Sequence, residues 1–147
     1  MANITQGFVA RQMEMSLYIG KRKHCSQMND FEMKSIMDKL ENIERWNIRT
    51  HALDRIEEKG INATYNDLVS MINNSSILEY KIDYNQKMNR CEERVLLRAN
   101  SVVNVKYNLN VVYSITQRAI ITVWINEIDD KHETLDWSIY DENMMVF

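Results

Sequence analysis

Residues 78–84 read LEYKIDY, and they decide the fold because the hydrophobic period changes here from that of a helix to that of a strand. The apolar members alternate with charged residues, as in a strand with one buried face: Leu78, Tyr80, Ile82 and Tyr84. Before this stretch apolar residues recur at helical spacing, and after it β-branched residues dominate. The sequence therefore predicts helices first and a sheet afterwards.

The residues that follow predict the rest of the sheet. Residues 85–89 are mostly polar and predict a loop, and residues 116–118 predict a tight hairpin loop. Strands are expected at residues 94–99, 102–107, 109–115 and 119–125. This order predicts an α+β fold, in which N-terminal helices are followed by an antiparallel sheet of four or five strands, with the helices on one face.

The first predicted helix covers residues 5–19, with Thr5 as its cap and Gly20 as its end. Its expected buried stripe consists of Phe8, Val9, Met13 and either Leu17 or Ile19. A basic cluster, KRKH at residues 21–24, predicts a loop. Two interpretations of the cluster stay open: phosphate contacts, or cations placed on helix C-terminal carbonyls.

The second predicted helix begins at Asn29, which forms a capping box with Glu32. Its apolar positions follow the i, i+3, i+4, i+7 pattern: Met33, Ile36, Met37, Leu40, Ile43 and Trp46 or Asn47. The third helix is capped by Thr50 and ended by Gly60. A short fourth helix is expected at residues 64–72.

Length and composition indicate a single domain. Of the 147 residues, 45% are hydrophobic and 27% are charged, which is an ordinary globular composition. Cys25 and Cys91 have no disulfide-framework or metal-binding spacing, so both are expected as reduced thiols. No apolar run reaches the ~18 residues of a membrane span. We therefore expect a cytoplasmic protein, in a bacterial or host cell, that does not contact a membrane.

Charge is distributed unevenly along the chain. The net charge is −3, yet residues 126–147 hold seven acidic residues against one lysine, so the remaining residues hold three more basic than acidic side chains. The single domain is thus expected to comprise N-terminal helices at residues 1–46, a core at residues 50–125 and an acidic C-terminal tail. The basic body favours a polyanion as partner.

Residues 50–61, THALDRIEEKGI, contain the pair of greatest chemical interest. His51 and Arg55 are four residues apart and share one face of the third helix. An imidazole that titrates near neutral pH beside a permanent cation suits work on a phosphodiester. A solvated surface pair without function is the alternative. Arg94 and Arg98 are also four apart, so on a strand they project from the same face.

These parts together resemble the barnase–EndoU–colicin–RelE superfamily of small toxin-like domains, and they also look like the site-specific endoribonucleases of T-even phages. The resemblance rests on HALDR at residues 51–55, RVLL at residues 94–97 and IITVWI at residues 120–125. It implies a RelE-like fold and metal-independent RNA cleavage, with His51 as acid or base and Arg55 beside it.

The phage endoribonucleases also have a second functional histidine on the next helix, and this chain has Met71 at the position reached by counting. The second proton-transfer role is then left to a tyrosine, to water or to a carboxylate such as Asp54 or Glu93. Arg94 and Arg98 would help Arg55 to stabilise the charged transition state. No metal or other cofactor is expected, because metal-ligand spacings and a glycine-rich phosphate loop are absent from the sequence.

Two function hypotheses follow, and enzyme activity is left open between them. The first is a metal-independent endoribonuclease that cleaves or binds single-stranded RNA through the helix of His51 and Arg55. Its further RNA contacts would be Lys21, Arg22, Lys23 and Tyr107. The second is a non-catalytic phage or bacterial interaction protein that binds and modulates a host protein, which the acidic tail favours.

Overall fold

A computed structural model describes residues 2–41, 47–58, 66, 69–70, 73–104, 107–127 and 137–147. The helices are α1 (Ala2–Ser16), α2 (Asp30–Glu41) and α3 (Thr50–Glu58). The strands are β1 (Arg22–His24), β2 (Asn47–Ile48), β3 (Ser75–Asn85), β4 (Arg90–Asn104), β5 (Tyr107–Ser114) and β6 (Ala119–Glu127). Short 3-10 turns lie at Cys25–Gln27 and Trp137–Ile139.

The strands form one sheet in the order β1-β3-β4-β5-β6-β2. The four long strands, β3 to β6, make an antiparallel meander, and β1 extends it along the free edge of β3. The predicted α+β fold, with helices followed by an antiparallel sheet of four or five strands, is confirmed. The two-residue strand β2 was not predicted, and it pairs in parallel with the other edge strand, β6.

The boundaries of the predicted strands need two corrections. Strand β4 runs unbroken over 15 residues, so the division into segments 94–99 and 102–107 is wrong. In β3 the predicted alternation is confirmed at Tyr80 and Ile82, but Leu78 is the extra residue of a bulge between Ile77 and Glu79, so Ile77 takes the core position. The turns expected at 85–89 and 116–118 are confirmed, each within one residue.

The described helices pack on one face of the sheet, which we call the helix face. Met15 of α1, Ile36 of α2, and Ala52 and Ile56 of α3 are buried there. Alternate strand residues complete this core: Ile77, Tyr80, Ile82, Val95, Leu97, Leu109, Val111, Tyr113, Ile120 and Val123. The intervening residues of the same strands point to the opposite face, which we call the cleft face.

Helix α1 is rotated relative to the prediction. Met15 faces the core, whereas Val9, Met13 and Leu17 of the predicted buried stripe are exposed. The rotation agrees with two polar contacts to β4. Arg11 bonds to Glu93 at 2.7 Å, and the side-chain oxygen of Gln12 accepts the backbone N–H of Cys91 at 2.7 Å.

The start of α2 is as predicted, and the start of α3 is shifted by one residue. Asn29 and Glu32 form the reciprocal capping box, with bonds of 2.8 Å and 3.2 Å. In α3 the carbonyl of Arg49 accepts the first helical bond, from the N–H of Ala52 at 3.0 Å. Thr50 is therefore the first helical residue and not the cap. The predicted end of α3 at Gly60 lies outside the described residues, as does most of the predicted fourth helix.

Residues 137–147 close the β1 edge of the sheet. The N–H of Asp141 donates to the carbonyl of Arg22 at 2.8 Å. Beyond it, Met144 is buried in the core of the helix face, and the N–H of Phe147 donates to the Tyr80 hydroxyl at 3.2 Å. Trp137 contacts His24 on the cleft face, so this segment passes around β1 from one face to the other.

Candidate functional site

Arg94 and Arg98, two of the predicted catalytic residues, point to the cleft face. Val95 and Leu97, which lie between the two arginines in the sequence, are buried under the helices. Because side chains alternate along a strand, Arg94 and Arg98 project from the opposite face. The guanidinium of Arg94 bonds to Glu92 at 2.7 Å. Arg98 donates to the side-chain oxygen of Asn110 at 3.1 Å. The structure thus brings these two arginines to one surface.

Arg55 lies on the other side of the sheet. It is exposed on α3, whose Ala52 and Ile56 enter the core of the helix face. Arg55 and the pair of strand arginines therefore do not share a groove. The side chains of His51 and Tyr107 lie outside what the structure describes, so a catalytic His51 and an RNA contact at Tyr107 stay predictions.

The basic cluster at residues 21–24 contains a strand and is not the predicted loop. It adds to the edge of β3 because that pairing satisfies backbone groups which an open edge would leave unbonded. Lys23 is buried on the helix face, where its ammonium bonds to Glu32 at 2.7 Å and to the carbonyl of Met144 at 2.9 Å. Lys23 is thus unavailable to a phosphate, while Lys21 is exposed.

A cleft of about 210 Å³ occupies the cleft face. We call it the sheet cleft. Its apolar and half-buried floor is formed by Leu96, Val112, Thr122 and Trp124. Its charged wall is formed by Arg22, Glu79, Lys81, Asp83 and Arg94. Of these residues only Arg22 and Arg94 were predicted as site residues.

Three cations of the wall lie in one row across neighbouring strands. Arg22 of β1 is in register with Lys81 of β3, and Lys81 is in register with Arg94 of β4. Neighbouring strands are about 4.8 Å apart, so the cations are close to one another. Asp83 lies between two of them, at 3.1 Å from Lys81 and 4.0 Å from Arg94.

Glu92 fixes the position of Arg94. It is fully buried, and its carboxylate also accepts bonds from the Ser114 hydroxyl, at 2.7 Å, and from the Gln117 amide. Burial alone would raise the pKa of Glu92, but the bonds from Gln117, Ser114 and Arg94 outweigh it and hold this pKa below its ordinary value. Glu92 therefore remains an anion that orients the guanidinium.

Glu79 forms the end of the sheet cleft nearest to β1. Only 7% of the residue is exposed, and one carboxylate oxygen accepts a bond from Arg22 at 3.2 Å. Burial and the nearby Glu79 carboxylate raise the pKa of Tyr140 to about 12. Because Tyr140 also packs edge-on against the His24 ring, the C-terminal segment borders the cleft here.

Glu93, a predicted candidate for proton transfer, lies on the helix face. Its carboxylate bonds to Arg11 at 2.7 Å, Lys39 at 2.8 Å and the Tyr80 hydroxyl at 2.7 Å. With 3% of the residue exposed, it joins helices to sheet and is not open to a substrate. Asp54, the other candidate, is exposed on α3.

Sequence reasoning missed Glu79, Lys81, Asp83 and Trp124 as members of one site. The signal was present in part, because the charged residues at 79, 81 and 83 alternate with apolar ones and were expected on the face away from the core. Strand register, which sets Lys81 opposite Arg94, was the missing information.

Within the described ranges, no three His, Cys, Asp or Glu side chains are grouped so that they could hold a metal ion. The helices described are all too short or too polar to cross a membrane. Comparison with protein-family models, with curated proteins and with solved structures gives no match. The resemblance drawn from the HALDR segment stays a prediction.

Proposed function

We propose that this protein binds single-stranded RNA in the sheet cleft. The observation that carries the proposal is the row of Arg22, Lys81 and Arg94 beside the floor that contains Trp124. Guanidinium and ammonium groups bind phosphate oxygens, and an aromatic ring stacks on an unpaired base. The sheet cleft offers both kinds of contact on one concave surface.

The size and charge of the sheet cleft favour a single strand. A volume of about 210 Å³ suits one or two unstacked bases of a single strand. The bases of a duplex are held within the stack and cannot enter the cleft. Glu79 and Asp83 offset part of the positive charge, so we expect moderate affinity and contact with about two or three phosphates. For single strands this corresponds to a slope of about −2 in log K against log salt.

The geometry supports RNA binding better than RNA cleavage. Arg94 and Arg98 project from the face opposite α3, so they would not stabilise a phosphorane beside Arg55. Cleavage by His51 and Arg55 is the further step of the first hypothesis, and EDTA-resistant formation of 2′,3′-cyclic phosphate ends would reveal it. We place the protein in the cytoplasm, where RNA and reduced thiols such as Cys25 and Cys91 coexist.

Fluorescence anisotropy with a labelled 12-nucleotide RNA of mixed sequence tests the proposal. We expect binding at 50 mM salt, and we expect Lys81→Ala to raise the Kd several-fold. Lys87→Ala is the matched control, since Lys87 is exposed in the turn after β3 and away from the cleft. Trp124→Leu should raise the Kd about tenfold, because stacking contributes about 1–3 kcal/mol per base. Absence of binding, or an equal effect of both lysine variants, would reject the proposal.

A second candidate function, the binding of another protein, is favoured by α1. Val9 and Met13 of α1, together with Leu17 in the turn that follows it, recur every four residues on the side away from the core, and they are 48%, 67% and 77% exposed. This stripe contains no charged residue, so it can serve as the apolar face of an amphipathic helix that docks on a partner protein. Met13→Lys should abolish binding of the partner protein, which affinity purification measures. It should leave RNA binding unchanged in the anisotropy assay.

A further inference from the structure

Glu79 has a carboxylate oxygen that no described residue satisfies. Its Oε1 accepts from Arg22, whereas the buried Oε2 forms no hydrogen bond of normal geometry within the described part of the chain. The Tyr140 hydroxyl lies close to the Glu79 carboxylate and interacts with it, but it makes no hydrogen bond of normal geometry to Oε2. Buried polar atoms are almost always bonded, and an unbonded acceptor that carries charge is costly. Because Glu79 lines the sheet cleft, its carboxylate is placed to accept a hydrogen bond from a donor on a ligand bound there.

The register of the strands places Glu79 at the end of the cleft floor. Glu79 is opposite Leu96, Leu96 is opposite Val112, and Val112 is opposite Thr122. A flat group lying on this floor would direct one edge at Glu79. The cations lie in the next row across the same strands, where Lys81 is opposite Arg94. Floor and cations are thus suited to different parts of a nucleotide, the base and the phosphate.

We infer that Glu79 selects the base, so that the sheet cleft prefers bases with an exocyclic amino group over uracil. The inference rests on the proposed function and names the bases that the same site takes. An ionised carboxylate only accepts hydrogen bonds. Cytosine and adenine present an amino donor where uracil presents a carbonyl oxygen, and two acceptors facing each other repel.

Cytosine and uracil provide the sharpest comparison, because they have the same ring size and differ at this edge. We expect the wild-type protein to bind labelled (rC)8 about tenfold more tightly than (rU)8 in anisotropy at pH 7.5, on the scale of one hydrogen bond to a charged group. An (rC)8 whose amino groups are dimethylated has no N–H to donate and should bind as weakly as (rU)8. This arm of the experiment requires no mutation.

Glu79→Gln tests the residue directly. The amide keeps an acceptor for Arg22 and gains an N–H that can donate to the uracil carbonyl. The preference for (rC)8 should therefore disappear or reverse. Asp83→Asn is the matched control, because Asp83 also lines the sheet cleft but both of its oxygens face cations. It should strengthen binding of both RNAs equally and leave their ratio unchanged.

The outcomes separate the inference from the function on which it rests. Equal affinity of the wild-type protein for (rC)8 and (rU)8 would overturn base selection and leave RNA binding intact. A ratio that changes equally in Glu79→Gln and Asp83→Asn would also overturn it, since general electrostatics would then account for the preference. Binding of neither RNA would overturn the proposed function as well. Circular dichroism of each variant checks its fold.

Discussion

Glu93 illustrates how a charged residue is accommodated in the core. It is 3% exposed, and its carboxylate is held by Arg11 of α1, Lys39 of α2 and the Tyr80 hydroxyl of β3. Burial alone would raise the pKa of Glu93, but Lys39, Tyr80 and Arg11 outweigh it and hold this pKa below its ordinary value. One anion therefore connects two helices to the sheet.

We expect Glu93→Gln to lower the free energy of unfolding by about 2–4 kcal/mol. Removing one member of a buried ion pair usually costs about 3–5 kcal/mol. Lys39 and Arg11 keep 23% and 44% of their side chains exposed, and renewed solvation of these cations reduces the loss. Urea unfolding at pH 7 measures it. Glu57→Gln, at an exposed position of α3, should change stability by less than about 0.5 kcal/mol, and a similar loss in both variants would contradict the prediction.

The sequence identified charged residues of interest, but it could not identify their partners. Lys23 was predicted to meet a phosphate or a helix end, and it is bonded to Glu32 and to the carbonyl of Met144, 121 residues away. Arg94 was predicted to face Arg55, and Glu92 and Asp83 hold it on the other side of the sheet. Ion pairs between distant segments depend on register and rotation, which a local pattern does not contain.

At the level of elements, features with short-range causes were predicted well. The capping box of α2 joins residues three positions apart, so the sequence alone predicts it. The switch to strands near residue 76 is equally local. The rotation of α1 was not predictable in this way, because its polar contacts are with Cys91 and Glu93, about 80 residues later. The bulge at Leu78 also arises from the pairing of β3 with β4.

The C-terminal segment supplies a prediction at this level. Met144 is 1% exposed and Met145 is 50% exposed, so the two neighbours provide a matched pair. We expect Met144→Ala to cost about 2–5 kcal/mol of unfolding free energy, through lost burial and the cavity left behind. Met145→Ala should cost less than about 0.5 kcal/mol. Equal and small losses in urea unfolding would mean that residues 137–147 do not pack on the sheet in solution.

In the whole molecule, one sheet separates two chemically different sides. The helix face holds the apolar core together with Glu93 and the side chains bonded to it. The cleft face holds the row of Arg22, Lys81 and Arg94, together with Glu79 and Glu92. Adjacent residues of β4 serve opposite sides, since Glu92 orients Arg94 and Glu93 binds the helices. The stability of the fold and the geometry of the candidate site therefore depend on the same strand.

Acid should destabilise the molecule through both of these carboxylates. Burial raises the pKa of both carboxylates, but the hydrogen bonds and cations around them lower it by more. The folded-state pKa of each therefore lies below the ordinary value of 4.5. The unfolded chain then takes up protons first as the pH falls. The stabilisation is complete above about pH 4.5 and is lost progressively below it, as the pH falls through the folded-state pKa values.

Urea unfolding at steps from pH 7 to pH 3 should show a nearly constant free energy of unfolding followed by a steep decline. The decline should be shallower in Glu93→Gln than in Glu57→Gln, because Glu93→Gln removes a titrating carboxylate whose folded-state pKa is lowered. Parallel declines in the two variants would show that other carboxylates cause the acid sensitivity.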